Sequence, residues 1–219
     1  MIGYQPSSRR PIADLFRRTA NGVTAQCLRG NVHPDTISYF SVVVSAAAAL
    51  CFWQSSRHAA LLLVAPLLCY FRLWLNMLDG MVALASAKAS PRGEILNEMP
   101  DRISDVLIFV GVAHSGLSAP LTGYWSAILA LLTAYVGVLG RAVGVQREFS
   151  GVMAKPWRMV VLHAGAWLTV LWPSAAVPRP AGLTILDWAC VVVILGCIQT
   201  IAVRLRRIFA ALDTKARRR

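Results

Sequence analysis

The feature that most constrains this chain is a succession of apolar runs, each long enough to cross a lipid bilayer and separated by short connections. About six are visible, at roughly 35–54, 59–84, 94–115, 120–141, 157–174 and 184–204, measured against the ~20 residues a helix needs to span the hydrocarbon core. Inside that core the backbone finds no water, so each segment must satisfy its own N–H and C=O groups, which a helix does. Composition agrees: 57% of residues are hydrophobic and 15% charged, against roughly 25% charged in soluble domains. The predicted fold class is all-α. The expected architecture is a polytopic integral membrane protein with about six transmembrane helices plus an N-terminal amphipathic interfacial helix.

A net charge of +12 would suit a nucleic-acid binder. However, the basic residues lie between apolar runs rather than on one module, and no nucleic-acid motif is present, which excludes that class. Their distribution reads as topology. Eighteen Lys and Arg fall in the N-terminal region, after the second span, between the fourth and fifth, and at the C-terminus, against Arg57 and Arg179 on the opposite side. Positive charge stays inside, so both termini are expected in the cytoplasm; in a bacterium the membrane would be the inner one.

The early arginines are not followed by an apolar core, which argues against a signal peptide. Ile12, Leu15, Phe16, Ala20, Val23 and Cys27 recur at helical spacing beside Arg9, Arg10, Arg17 and Arg18. They read as an amphipathic helix on an anionic membrane surface, with a solvated basic tail as the alternative. The expected organisation is a juxtamembrane helix at 1–33, a membrane domain at 34–210 and a basic cytoplasmic tail at 211–219. From Arg204 the last span is expected to continue as a basic amphipathic helix. The four histidines show no zinc-ligand spacing, and the five cysteines form no CxxC pair and read as small apolar residues.

Against this background the stretch from Asn76 to Asp105 stands out, because it holds five of the ten acidic residues. Ionisable groups in a spanning segment are costly, and their default reading is a functional site on a polar cavity. In a helix from Gly93 onward, Glu94, Asn97, Glu98, Asp101 and Asp105 lie along one face, as do Asn76 and Asp79 on the preceding helix. The connecting SAKASPRG carries small residues, Pro and Gly, and reads as a turn. Two antiparallel helices would then face each other with oxygen-rich sides, suited to hard cations such as Mg²⁺ or Mn²⁺.

The same stretch resembles the signature of the CDP-alcohol phosphotransferase family, D-x2-D-G-x2-A-R-x8-G-x3-D-x3-D. Its positions fall on Asn76, Asp79, Gly80, Ala83, Leu84, Gly93, Asn97 and Asp101. The spacing is complete, while two aspartates are Asn and the arginine is Leu.

The resemblance implies a membrane transferase of phospholipid biosynthesis that moves a phosphatidyl or related phospho-alcohol group from a CDP-linked lipid to an alcohol acceptor and releases CMP. It implies Mg²⁺ or Mn²⁺ held by Asp79, Asp101 and the positions of Asn76 and Asn97, with Asp101 as the catalytic base. Gly80, Ala83, Gly93, Lys88 and Arg92 fall to the donor, and the protein is implied to be a homodimer. Glu94, Glu98 and Asp105 are candidate compensating acids for the lost charges. Arg141, Arg147, Lys155 and Arg158, on the expected cytoplasmic side, could bind an acceptor phosphate or simply mark topology. Two further readings stay open beside the enzyme. One is an inactive CDP-lipid-binding or scaffold relative whose carboxylates satisfy Arg72 and Arg102. The other is a small membrane transporter with the acidic face along an ion path, which the signature spacing argues against.

Overall fold

The computed structural model describes residues 11–86, 91–172 and 182–217, with the backbone alone at 11–18, 91, 92 and 94. Seven helices are described: α1 (Pro11–Arg29), α2 (Pro34–Trp53), α3 (Leu61–Ala85), α4 (Pro91–Ala113), α5 (Pro120–Ala142), α6 (Lys155–Leu171) and α7 (Ile185–Ala216). There is no strand among the described residues.

Local chemistry sets several boundaries. Asn31, at φ 48°, takes the left-handed conformation that ends α1, with Val32 N–H returning to Cys27 C=O at 2.9 Å, the geometry of a Schellman stop. Pro34 opens α2 under the cap of His33, and Pro120 opens α5, where a missing N–H costs nothing. Thr184 and Asp187 form a reciprocal capping box at the start of α7.

Asp187 also ties two helix starts together. Its carboxylate accepts from Ala119 N–H and Thr122 Oγ1, both at 2.7 Å, and from Thr184 N–H at 3.0 Å. Asp187→Ala strands these donors and is expected to cost about 2 kcal/mol, read as a lower unfolding midpoint in detergent. Wild-type stability in that variant would show that the clamp carries no weight.

Packing closes the helices into a ring. In contact order it runs α2, α3, α6, α7, α5, α4 and back to α2, with α1 laid on the outside of α3. Small residues allow close approach: a Cβ on Gly111 would lie 2.4 Å from Ala49 O on α2, and one on Gly165 2.4 Å from Ala189 Cβ on α7. α1 buries Ala20 and Thr24, and Trp74 Nε1 of α3 donates to Thr19 Oγ1 at 3.1 Å.

The polarity of the bundle is that of a membrane protein. Large apolar side chains such as Phe40, Leu67, Leu131 and Leu195 lie outside, while Arg72, Asp79, Asp105 and Arg158 are buried. By length and composition α2, α3, α5 and α7 are each able to cross a membrane. α6 is short at 17 residues, and α4 carries the acidic cluster, so these two are helices without meeting that measure. α7, at 32 residues, is about 48 Å long, well beyond the ~30 Å core. The basic residues from Arg204 to Lys215 therefore continue one helix, as the sequence predicts, and position 210 lies within it.

Candidate functional site

Helices α3 and α4 supply the central polar side chains at one end of the ring, and α2 and α6 add partners to them. α3 carries Arg72, Asn76 and Asp79 at spacings of four and three, and α4 carries Asn97, Asp101 and Asp105 at spacings of four. Both sets therefore form single faces, and the faces meet. Asn97 Nδ2 on α4 donates to Asp79 Oδ1 on α3 at 2.8 Å, and Asn76 Nδ2 on α3 donates to Asp101 Oδ1 on α4. All four side chains are thus within hydrogen-bond reach across one helix pair. Asp79 is 2% exposed and Asp101 7%. Pro100, inside α4, has no N–H to give Leu96 C=O, which loosens the backbone beside Asp101.

Cations meet the α4 carboxylates in register. Arg147 NH2 lies 3.0 Å from each Glu98 oxygen, Lys155 Nζ donates to Asp101 Oδ2, and Arg158 NH2 donates to Asp105 Oδ2 at 2.6 Å. Arg72 NH2 bonds the Asp101 backbone oxygen at 2.9 Å and lies 2.9 Å from Asp105 Oδ1. Arg102 pairs with Glu98 one turn away. The segment that delivers Arg147 and Lys155 is anchored: Arg204 Nε donates to Ser150 O at 2.9 Å, Met153 N–H donates to Thr200 Oγ1 at 2.9 Å, and Glu148 N–H bonds Gly137 O at 3.0 Å.

The compensating acids are placed otherwise than expected. Asp105 is taken up by Arg72 and Arg158 rather than turned to the signature groups, and Glu98 by Arg102 and Arg147. Glu98 follows Asn97 by one residue and so points about 100° away from it. Arg158 is buried on Asp105 rather than held at the rim. Arg141 lies exposed at the end of α5, and Leu84, at the signature's arginine position, is exposed too. A Cβ on Gly80 would meet nothing within 4 Å, so close helix packing is not what that glycine permits; open space adjoins it. Ala83 and Gly93 are half-buried. Lys88 lies outside the described residues, as do the side chains of Arg92 and Glu94.

Ser38 escaped the sequence reading. Its Oγ donates to Asp79 Oδ2 at 2.6 Å from α2. Its signal was the helical spacing of Ser38, Ser41 and Ser45 in an otherwise apolar run.

Comparison with known proteins gives the arrangement a context. No family model matches the chain. The phosphatidylinositol phosphate synthase of Mycobacterium tuberculosis (strain H37Rv) is 24% identical over 193 residues, covering 84% of each chain. The archaetidylinositol phosphate synthase of Aeropyrum pernix is 28% identical over 171 residues, covering 77% of this chain and 85% of its own. The inner membrane protein YnbA of Escherichia coli K12 is 29% identical over 163 residues, covering 74% and 81%. Crystal structures of M. tuberculosis phosphatidylinositol phosphate synthase with CDP-DAG bound, and in complex with manganese and citrate, each superpose with a TM-score of 0.71 at 20% identity. The first covers 88% of this chain and 94% of that one.

In sequence and in fold the chain is similar to these phosphatidylinositol phosphate and archaetidylinositol phosphate synthases. The side chains that meet between α3 and α4 are those at the four acidic positions of the CDP-alcohol phosphotransferase signature.

The divalent metal such a family implies can be tested against these groups. Two carboxylates and two amides converge, and each amide presents a carbonyl oxygen after a half-turn about its last bond. That is a hard-oxygen donor set suited to Mg²⁺ or Mn²⁺. Among the described residues no group of three or more His, Cys, Asp or Glu converges as a metal site, and the carboxylates that meet across this helix pair are Asp79 and Asp101. The residues fit a divalent ion with a lean complement of charge.

Proposed function

We propose that this protein transfers a phosphatidyl group from a CDP-linked lipid such as CDP-diacylglycerol to an alcohol and releases CMP, as a step of phospholipid biosynthesis. The observation that carries this reading is the convergence of Asp79, Asn97, Asn76 and Asp101 at one end of the ring.

The oxygens open to a divalent ion would come from Asp79 and Asp101 and from the amides of Asn76 and Asn97. When bound, that ion neutralises diphosphate charge and steadies the charge growing on the leaving CMP. Asp101 is the base: its carboxylate takes the proton of the attacking hydroxyl as the new O–P bond forms at the phosphorus nearer the lipid. The bond from that phosphorus to CMP breaks, and its electron pair leaves on CMP. Ser38 and Asn97 fix the orientation of Asp79. Asn76 and Arg72 fix Asp101, the latter through the Asp101 backbone oxygen. The space beside Gly80, with Ala83 and Gly93 nearby, suits close approach of the donor. Lys88, between α3 and α4 in the sequence, and Arg92, at the start of α4, are proposed to meet its phosphates. Arg147 and Arg141 suit an anionic acceptor. Relatives named phosphatidylinositol phosphate synthase put inositol phosphate first among the candidates.

We further propose that α2 to α7 all cross the membrane, with both termini cytoplasmic, that α1 lies at the membrane surface, and that the protein is a homodimer. The distribution of Lys and Arg supports the orientation. The site would then open to the cytoplasm and the inner leaflet together, where a nucleotide head and a lipid tail meet.

Purified protein in lipid, given CDP-diacylglycerol, Mn²⁺ and a panel of alcohols, is expected to release CMP with one of them. Asp79→Asn should lower that rate about a hundredfold or more. Undiminished release by Asp79→Asn would remove that residue from the reaction. Lys155 on Asp101 favours a second reading, a CDP-lipid-binding relative without turnover. Nucleotide binding with no CMP from any alcohol would select it.

A further inference from the structure

The two aspartates of the site are not alike. Asp79 is 2% exposed, and its hydrogen-bond partners are neutral, Ser38 Oγ and Asn97 Nδ2. A buried carboxylate met only by neutral groups is a costly arrangement that a cation relieves. Asp101 already has its cation, since Lys155 Nζ sits on Oδ2 while Asn76 holds Oδ1.

Lys155 is held there by the fold. It opens α6, and the residues before it are tied to α7 through Thr200 and Arg204. Among the described residues, the other carboxylates of this end already have cations of their own. Glu98 is paired with Arg102 and Arg147, and Asp105 with Arg72 and Arg158. Asn at positions 76 and 97 removes two charges, and a fixed ammonium is supplied in the same place. A dication beside Asp101 would be repelled by that ammonium.

We infer that the site takes one divalent cation, on the Asp79–Asn97 side, and that the Lys155 ammonium stands on the Asp101–Asn76 side where a second cation would otherwise be needed. This rests on the proposed transfer reaction and assigns Lys155 to the reaction centre rather than to acceptor binding. The acceptor and donor phosphates would be met on one side by the ion and on the other by a positive charge that belongs to the chain.

The test counts ions. Purified protein in lipid is titrated with Mn²⁺, and free Mn²⁺ is followed by its electron paramagnetic resonance signal. One tightly held Mn²⁺ per chain is expected, absent in Asp79→Asn. Asn76→Asp combined with Lys155→Met, which restores a carboxylate and removes the ammonium, is expected to hold two. Two ions or none in the wild type, or one that survives Asp79→Asn, would overturn the inference, as would a folded double variant that still holds one. Should the double variant fail to fold, the wild-type count and Asp79→Asn decide. CMP release measured on the same preparation separates the two readings. Release with two bound ions overturns the role of Lys155 and leaves the transfer reaction standing; one bound ion with no release from any alcohol does the reverse.

Discussion

Asp101→Asn is expected to lower CMP release by about a thousandfold or more, the range for loss of a positioned base, while the protein stays folded. Asn has the shape of Asp, offers its one oxygen to Lys155 and its NH2 to an Asn76 amide turned to present its carbonyl, but it no longer takes a proton from an alcohol. The fold does not hang on that carboxylate. Arg72 bonds the residue through its backbone oxygen and is matched by Asp105, and Lys155 is partly open to solvent, where a lost partner is replaced by water. Gel filtration and a thermal scan of the variant in detergent should therefore follow the wild type. A loss of less than about tenfold would take the base away from Asp101.

Asp105→Ala should do the opposite and remove the fold before the reaction can be asked about. Asp105 is 1% exposed and stands between Arg72, 0% exposed, and Arg158, 2% exposed. Both arginines reach Asp105 through Nη2, while Arg72 Nε and Nη1 and Arg158 Nε are buried without a hydrogen-bond partner. Removing the carboxylate leaves two guanidinium groups buried with little to offset them. Breaking a buried pair in this way costs about 3–5 kcal/mol, enough to consume much of the stability of an ordinary domain. The expected result is a sharp fall in monodisperse yield and unfolding midpoint. A variant as stable as the wild type would mean that Arg72 and Arg158 find water or other partners that the packing does not suggest.

The sequence carries the helix order because apolar runs of spanning length have one economical backbone solution, and the six apolar runs fall on the helices α2 through α7, four of which are long and apolar enough to cross a membrane. It carries the signature faces for a similar reason: spacings of three and four put Asn76 with Asp79 and Asn97 with Asp101. Partnership across helices was not legible. Glu98, Asp101 and Asp105 all read as surplus acid on one face, yet Arg147, Lys155 and Arg158 arrive in register to meet them. That register depends on how residues 143–154 fold back on α5 and α7 through Gly137, Thr200 and Arg204, contacts far apart in the chain. Likewise, nothing in the spacing of α2 says that Ser38, rather than Ser41 or Ser45, reaches Asp79. α4 and α6 show the limit of hydropathy. The carboxylates that make α4 functional also lower its apolar character, and ring packing rather than lipid covers them.

The central claim is group transfer, and the fate of one phosphorus atom tests it most directly. With CDP-diacylglycerol labelled with ³²P at the phosphate nearer the lipid, transfer carries the label into a new phospholipid, while CMP leaves without it. Label is expected in one new lipid, dependent on Mn²⁺ or Mg²⁺ and on a particular alcohol, and absent with Asp101→Asn. Label that stays in the donor with every alcohol, or that appears as phosphatidate through attack by water, in protein shown to be folded, would contradict it.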